Sequence, residues 1–400
     1  MLLLKRIVLP VLLAIVLLLS VSLLPSRAVP LFCGRDVPLR EDNILPEGSL
    51  AATSPLHRDS LSAMFWNLEN FFDWRNDSTS VSDADFSSRG SRRWTRKRFE
   101  TKCQAIAKTI LWASGETGRL PDVIGFAEVE NSFVLKRLLR STLLRKLDYK
   151  LVHYDSPDRR GIDVALLYRA EILELIDSKP CHLYTDSVTI MPTRDILLCR
   201  FLKRAAGAEN SASADVDFAV LVNHHPSKYG GTAASDERRR AAVSRLRKLA
   251  DSLAAAGTVR ILALGDFNDT PKNPVYRALE PRLLPLYETV FRRGEGTIRF
   301  DGRWELIDLA FASPSVPSAS TSAAESSSQT SDGRGMPSGT MDSQLHHLRW
   351  AGPMRILRPP FLRVHDTVHG GWKPLRTYSG PRYIGGVSDH CPILVRFAPE

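Results

Sequence analysis

Short clusters of polar residues adjoin six apolar runs of this 400-residue sequence. Four of them follow a run directly, and these are Asn67-Leu68-Glu69-Asn70, Glu128-Val129-Glu130-Asn131, 223–228 and 265–269. Asp308 lies inside a fifth run, and Ser388-Asp389-His390 precedes the sixth. A single Asp-Asn or Asp-His pair usually serves a turn or a local hydrogen bond. Six clusters at the ends of runs are hard to explain in that way, so we interpret them as parts of one site.

These residue types suit the hydrolysis of a phosphate ester. A phosphodiester is anionic and repels nucleophiles, so a cation has to neutralise a non-bridging oxygen and the charge that develops during reaction. Carboxylate and amide oxygens are ligands that Mg²⁺ and Mn²⁺ accept in proteins. We therefore predict a site for Mg²⁺ (or Mn²⁺) at Glu128 and Asp389, with Asn67 as a neutral oxygen donor.

Five further residues are candidates for the catalytic steps. Asp266 is the natural group to aim and deprotonate a water, and Asn268 would fix its orientation or the phosphate. Asp308 and His390 would form a carboxylate–histidine pair, which can act as an acid or stabilise the phosphorane-like state. His224 can donate a hydrogen bond to a phosphate oxygen. One chain thus supplies a base, an acid and a phosphate ligand.

The apolar runs predict the elements that position these residues. The runs span 63–66, 122–127, 218–222, 259–264, 306–311 and 392–397. Short, nearly continuous, β-branched runs suit strands that are buried on both faces. Apolar residues at helical spacing mark 99–112 and 236–253. The pattern predicts an α/β fold with helices over sheets, in which ligands gather where strands end.

The sequence resembles the endonuclease/exonuclease/phosphatase superfamily from about Ser62 to Phe397. The two most specific segments are Gly265-Asp266-Phe267-Asn268 and Ser388-Asp389-His390-Cys391-Pro392-Ile393. The supporting segments are Trp66-Asn67, the strand end at Glu128, Asn223-His224 and Trp304 to Asp308. Along the chain, all six segments occur in the family's order. The resemblance implies a four-layer sandwich of two packed mixed β-sheets flanked by helices. It also implies the metal-site and catalytic roles given above, position by position.

The same resemblance extends the site toward the substrate. Arg160 and Asp163 lie in a segment similar to one that supplies a polar group on the substrate side. Asn131 lies in a cluster similar to that of exported bacterial members of the family, and Lys228 ends the third polar cluster. We predict that these four residues contact substrate.

We predict that the substrate is nucleic acid and the enzyme an endonuclease or related nuclease that hydrolyses phosphodiester bonds. The net charge is +10, which favours a polyanion, and Arg92 to Arg98 surround Trp94, which could stack on a base of DNA or RNA. The plainer interpretation of that run is a solvated loop before a helix. The alternative is a phosphatase or a lipid phosphodiesterase of sphingomyelinase or inositol-phosphate type. An apolar rim that could touch a membrane supports the lipid enzyme, and its residues are Trp350, 359–362 and Trp372. A binding module without activity is disfavoured, because the catalytic groups are all present.

The N-terminus has the three regions of a secretory signal. Lys5 and Arg6 precede an apolar run over 7–24, and small residues follow at Ser26 and Ala28. The alternative is an uncleaved anchor, since about 18 apolar residues can just span a bilayer. We predict export to the periplasm or the medium, with membrane association if the segment stays attached. No obligate protein partner is evident.

Composition divides the chain into three parts. Residues 1–28 are the predicted signal peptide or anchor, 29–61 a linker, and 62–398 the catalytic domain. Inside that domain, 313–343 is rich in Ser, Thr, Pro and Gly and is predicted to be a disordered insertion, because it has too few apolar residues to bury. The five cysteines form no CxxC pair, so they predict no zinc site. They allow one disulfide bond in an oxidising compartment, but the sequence does not say which two cysteines would form it.

Overall fold

The structure is a computed structural model that describes residues 60–77, 80–203, 216–227, 232–258, 260–314 and 351–397. The predicted signal segment, nearly all of the linker, most of the predicted insertion, Lys228 and Trp350 lie outside these residues. Ser313, where the insertion was predicted to begin, is buried and exchanges hydrogen bonds with the backbone of Ile261. Within the described ranges, none of the helices combines the length and the apolar character that crossing a membrane requires.

Helices are interspersed among the strands in the first two thirds of the chain, and short strands dominate the rest. The strands are β1 (Leu61–Phe71), β2 (Val123–Val129), β3 (Tyr149–His153), β4 (Asp163–Arg169), β5 (Leu173–Cys181), β6 (Ile196–Lys203), β7 (Val216–His224), β8 (Arg260–Asp266), β9 (Leu284–Pro285), β10 (Ile298–Phe300), β11 (Arg303–Glu305), β12 (Asp308–Ala312), β13 (Arg355–Ile356), β14 (Arg363–His365), β15 (Trp372–Pro374), β16 (Tyr378–Ser379), β17 (Arg382–Tyr383) and β18 (Ile393–Phe397). The α-helices are α1 (Val81–Asp85), α2 (Arg96–Thr117), α3 (Ser132–Ser141), α4 (Thr232–Ala255) and α5 (Glu288–Arg292). Single 3₁₀ turns lie at Leu143–Lys146, Pro274–Leu279 and Pro360–Leu362.

Two mixed sheets of six strands each form the centre of the fold. The first has the order β13-β18-β1-β2-β4-β3, in which β1 is parallel to β2 and antiparallel to β18. The second has the order β5-β6-β7-β8-β12-β9, in which β7 and β8 are parallel and β12 is antiparallel to β8. Because the inner strands of both sheets are buried along their whole length, their runs lack polar alternation, as the sequence indicated.

Helices cover the outer faces of the two sheets. The inner faces share one core, in which Phe65 of the first sheet packs with Val222 and Leu264 of the second. On the outer side of the first sheet, Ile106 of α2 and Leu135 of α3 join a separate core. The helix α4 contributes its apolar side to the core of the second sheet. The result is a four-layer α/β sandwich, which confirms the predicted fold class.

Local sequence explains where α2 begins and ends. Thr95 caps the N-terminus, since its hydroxyl accepts the amide of Arg98, and Gly118 ends the helix with a left-handed φ of 75°. The prediction of a helix over 99–112 is confirmed and extended by about one turn at each end. All six predicted strands are also present; β1 extends five residues beyond its predicted end, and the other ends shift by at most two residues.

One expectation about an exposed aromatic residue is wrong. Trp94 is fully buried, and its indole donates a hydrogen bond to the carbonyl of Phe72, so it cannot stack on a nucleic-acid base. Its apolar surface was needed for the core beneath α2. The described cysteines, which are Cys103, Cys181, Cys199 and Cys391, are buried and unbridged.

The close pairing of β7 and β8 makes a testable demand on Gly265. A Cβ at this position would lie 2.2 Å from the carbonyl oxygen of Asn223, which belongs to the rigid backbone of the next strand. We expect Gly265→Ala to lower the free energy of unfolding by about 2–3 kcal/mol in urea denaturation. The matched control is Gly115→Ala on α2, where a Cβ would meet nothing within 4 Å. That variant should be neutral or slightly stabilising, and equal losses in both would contradict the packing argument.

Candidate active site

Strand pairing brings three of the predicted catalytic residues side by side. In the parallel pair of β7 and β8, His224 lies opposite Asp266. In the antiparallel pair of β8 and β12, Asp308 lies opposite Asp266 from the other side. All three residues are buried. The register of the sheet alone therefore forces their polar groups into one space that holds little water.

Asp266 is the centre of this group of side chains. Its Oδ2 accepts a hydrogen bond of 3.0 Å from the amide of Asn67, and its Oδ1 accepts one of 2.9 Å from the backbone N–H of Asn268. The Nε2 atoms of His224 and His390 lie 3.7 Å and 3.8 Å from Oδ2. The carboxylate is thus held in one orientation between two imidazole rings.

Asp308 and His390 form the predicted carboxylate–histidine pair. His390 Nδ1 donates to Asp308 Oδ2 at 2.8 Å, because a carboxylate can only accept. Burial disfavours the imidazolium, but the charges of Asp308 and Asp266 outweigh it and raise the pKa of His390 well above its usual value. Burial also raises the pKa of Asp266 to about 7, against the opposing charge of His390. His390 therefore favours its protonated, charged form.

His224 has the opposite charge state. Burial, with the nearby charges of Arg194 and Arg160, lowers its pKa well below the usual value. Its ring is therefore neutral, and its Nδ1 atom is buried without a hydrogen-bond partner among the described residues. A neutral ring beside Asp266 can give one hydrogen bond to a phosphate oxygen, as the sequence predicted.

Glu128 and Asp389, two of the three predicted metal-site residues, are held by contacts near the end of β1. Glu128 accepts the N–H of Asn70 at 2.7 Å, which fixes one of its carboxylate oxygens. Asp389 forms an ion pair of 3.1 Å with Arg376. Arg376 also pairs at 2.9 Å with Glu69, a carboxylate that the sequence analysis did not select.

The acidic side chains near the end of β1 have the chemistry that a hard divalent cation requires of its ligands. The carboxylates of Glu69, Glu128 and Asp389 all act on the buried ammonium of Lys102. Burial and the charge of Asp389 raise the pKa of Glu69 to about 7. Glu69 and Glu128 also adopt left-handed backbone, with φ of 49° and 59°, a strain that is kept where side chains must be aimed. Glu128, Asp389 and Asn67 would hold Mg²⁺ or Mn²⁺, with Glu69 beside them.

The predicted substrate-side residues divide into near and remote ones. Arg160 lies at the site, 2.7 Å from the side-chain oxygen of Asn70 and 3.5 Å from Glu128. Asp163 is buried and accepts hydrogen bonds from His153 and from the backbone N–H of Ser156. Asn131 caps α3 by accepting the amide of Val134. The substrate roles of Asn131 and Asp163 thus stay predictions to which these local hydrogen bonds give no support, and Lys228 lies outside the described residues.

Lys102 is the functional-site residue that sequence reasoning missed most clearly. Its ammonium donates to the carbonyl of Glu69 at 2.7 Å and to the hydroxyl of Thr377 at 2.9 Å. A signal was available, because Lys102 lies between Phe99 and Ile106 on the apolar stripe of a predicted helix. Arg376 had no comparable signal, since it lies in an irregular tract before Ser388-Asp389-His390.

Comparison with known proteins identifies related chains. The sequence model of the Endonuclease/Exonuclease/phosphatase family matches residues 62–331. A comparison with curated protein sequences gives no match.

Solved structures of similar fold cover most of the chain. An endonuclease/exonuclease/phosphatase family protein from Bacteroides thetaiotaomicron is 17% identical and has a TM-score of 0.48, covering 85% of this chain and 99% of its own. The human Nocturnin catalytic domain with a bound sulfate anion is 15% identical and has a TM-score of 0.47, covering 85% and 94%. D. rerio TDP2 complexed with a single-strand DNA product is 12% identical and has a TM-score of 0.45, covering 85% and 99%.

The buried position of Lys102 leads to a prediction about stability. Lys102→Met removes a buried cation and two hydrogen bonds, those to the carbonyl of Glu69 and the hydroxyl of Thr377, so we expect a loss of about 3 kcal/mol in the free energy of unfolding. Urea denaturation checks this. The matched control is Lys97→Met, an exposed position on the same helix, which should change stability by less than about 0.5 kcal/mol. Similar small losses in both variants would show that the buried ammonium of Lys102 does not stabilise the fold.

Proposed function

Because the chain belongs to the endonuclease/exonuclease/phosphatase family and is a divalent-metal-dependent phosphoesterase, we propose that it hydrolyses phosphodiester bonds of nucleic acid at its strand-end site. The observation that carries the proposal is the Asp266 carboxylate, buried between imidazole nitrogens of His224 and His390 at 3.7 Å and 3.8 Å. A base, a proton donor and a neutral hydrogen-bond donor in one dry pocket are the groups that ester hydrolysis at phosphorus requires.

Each side chain of the pocket has a role that follows from its charge. Asp266 would take a proton from the attacking water, and the hydrogen bonds from Asn67 and Asn268 keep its oxygens aimed. His390, kept charged by Asp308, would protonate or stabilise a phosphate oxygen through Nε2. Mg²⁺ or Mn²⁺, held by Glu128, Asp389 and Asn67, would supply charge neutralisation at the phosphate. Neutral His224 would add a hydrogen bond without adding charge.

The basic surroundings of the site favour a substrate with several phosphates. The net charge of the chain is +10. Arg160 and Arg376, each about half exposed, border the predicted metal residues. Cations at the rim attract a polyanion and hold its backbone in register with the pocket. Nucleic acid is the polyanion that contains phosphodiester bonds in every repeat.

A lipid phosphodiester is the second candidate, and one exposed residue favours it. Of the predicted apolar rim, Trp372 is 53% exposed on β15, whereas Leu362 is buried. An exposed Trp can insert into the interface of a membrane. Plasmid nicking with Mg²⁺ would support the nuclease, whereas release of phosphocholine from sphingomyelin vesicles or of phosphate from inositol phosphates would support the alternative.

The role of Asp266 can be tested by removing its charge alone. We expect Asp266→Asn to lower kcat by roughly 10²–10⁴-fold in a plasmid-nicking assay, because the amide cannot take a proton from water. Circular dichroism should show an unchanged fold. Asp301→Asn, in the exposed turn between β10 and β11, is the matched control and should keep full activity. Turnover that survives in Asp266→Asn would exclude this residue as the base.

The metal requirement gives an independent test. Treatment with excess EDTA should abolish nicking, and added Mg²⁺ or Mn²⁺ should restore it, since the carboxylate and amide oxygens of the site suit both ions. The measurement is the rate of nicking before and after metal is returned to the dialysed protein. Full activity after dialysis against chelator would contradict a metal-dependent mechanism.

A further inference from the structure

A cleft of about 290 Å³ opens between the end of β1 and the β16–β17 hairpin. The residues that line it include Glu69, Phe86, Arg92, Arg376, Tyr378 and Gly380. Glu69 and Arg376 border the predicted metal residues, because Arg376 pairs with Asp389. Arg92 has no role in the catalytic steps. The cleft therefore adjoins the catalytic site without being part of it.

Arg92 is held in a fixed position in the lining of the cleft. Its guanidinium donates a hydrogen bond to the carbonyl of Gly380 and lies over the ring of Tyr378, 5.3 Å from the centroid. It also lies 5.8 Å from the ring centroid of Phe86. The backbone carbonyl of Arg92 accepts the hydroxyl of Tyr378 at 2.9 Å and a hydrogen bond from Arg98 at 3.0 Å. A cation restrained in this way loses little entropy when it binds an anion.

The charge of Arg92 is not neutralised by the protein around it. Among the described residues, no carboxylate lies within the 4.0 Å of an ion pair with Arg92. A guanidinium has five N–H donors, and Gly380 accepts only one of the hydrogen bonds that they can make. Arg376, by contrast, is paired with Glu69 and Asp389. Arg92 therefore presents an oriented positive charge to the cleft.

The shape of the cleft selects an anion rather than a flat base. The rings of Phe86 and Tyr378 are buried, and the guanidinium of Arg92 covers them. Little aromatic surface is left for stacking. The volume of about 290 Å³ is at the small end for ligand sites and suits one compact group. Bidentate donors of a guanidinium match phosphate geometry.

We propose that this cleft binds a second phosphate group of the substrate, one that is not cleaved. The proposal rests on the phosphodiesterase function proposed above and narrows its substrate class to esters with at least two phosphates. That second phosphate could be the next phosphodiester of a nucleic-acid strand or the terminal phosphate of a small bisphosphate. Both sources present the same non-bridging oxygens to Arg92.

Three related esters test the proposal. The first is thymidine 5′-(p-nitrophenyl phosphate), the second carries an added 3′-phosphate, and the third is joined at its 3′-phosphate to a second thymidine. We expect kcat/KM of the holoenzyme for the second or third ester to exceed that for the first by roughly tenfold, as one charge-assisted hydrogen bond would give. Preference for the third ester indicates a nucleic-acid strand, and preference for the second a small bisphosphate.

Variants assign the preference to Arg92. Arg92→Gln should bring the ratio of kcat/KM between the preferred ester and the first ester close to one. Arg93→Gln, which removes the same charge at the exposed neighbouring residue, is the matched control and should keep the wild-type ratio. If Arg92→Gln does not fold, Arg92→Lys retains charge without the planar fork and should reduce the ratio in part.

The outcomes separate the two proposals. If the wild-type protein neither nicks plasmid nor hydrolyses any of the three esters with Mg²⁺ or Mn²⁺, the proposed phosphodiesterase function fails. If it nicks plasmid but hydrolyses none of the three esters, the second-phosphate site is wrong while the function stands. If it hydrolyses the first ester with equal kcat/KM to the others, the second-phosphate site is wrong while the function stands. A preference that persists in Arg92→Gln would also overturn the site.

Discussion

The structure depends on one electrostatic constraint, the burial of two carboxylates with a single imidazolium. Asp266 and Asp308 are at most 2% exposed, and His390 lies between them. An unpaired charge in such a place costs several kcal/mol, so the two carboxylates need the imidazolium and the hydrogen bonds that Asp266 accepts. The sheet register keeps them together, because Asp266 and Asp308 are paired across β8 and β12. Transfer of a proton or a bound ligand would relieve this charge.

Asn67 connects this group to Glu69 and the residues that contact it. Its amide nitrogen donates to Asp266, and its carbonyl oxygen accepts the N–H of Glu69. The Glu69 carbonyl accepts from Lys102, and its carboxylate pairs with Arg376. A substitution that displaces Asn67 would therefore disturb both halves. The amide suits this position because it donates and accepts without adding charge.

Much of the fold and of the site could be predicted because both are written in local sequence. Buried strands are continuous apolar runs, and polar residues directly after such a run must lie at a strand end. This reasoning found Asp266 and His224. It misassigned Trp94, since a run of arginines around an aromatic residue looks the same whether the ring points outward or into a core.

The remaining residues depend on contacts between distant segments, which no local pattern contains. Lys102 reaches Thr377 across 275 positions of sequence. Arg376 meets Glu69 only because an irregular tract folds back over the end of β1. A local signal can also have more than one explanation. Asn131 follows a strand end, and its side chain caps the helix that begins there, while its contact with substrate stays a prediction.

Hydrogen bonds of Thr377 and Ser388 link the cleft to the predicted catalytic residues. Thr377 donates its N–H to the carboxylate of Glu69 and its hydroxyl to the carbonyl of Val387, directly before Ser388-Asp389-His390. Ser388 in turn donates to the carbonyl of Asn67 at 2.6 Å. A ligand that displaces the segment around Thr377 must therefore shift Glu69 and the loop before β18 together. A group bound in the cleft beside this segment would therefore change the positions of the predicted catalytic carboxylates through these hydrogen bonds, without the movement of a separate loop or domain.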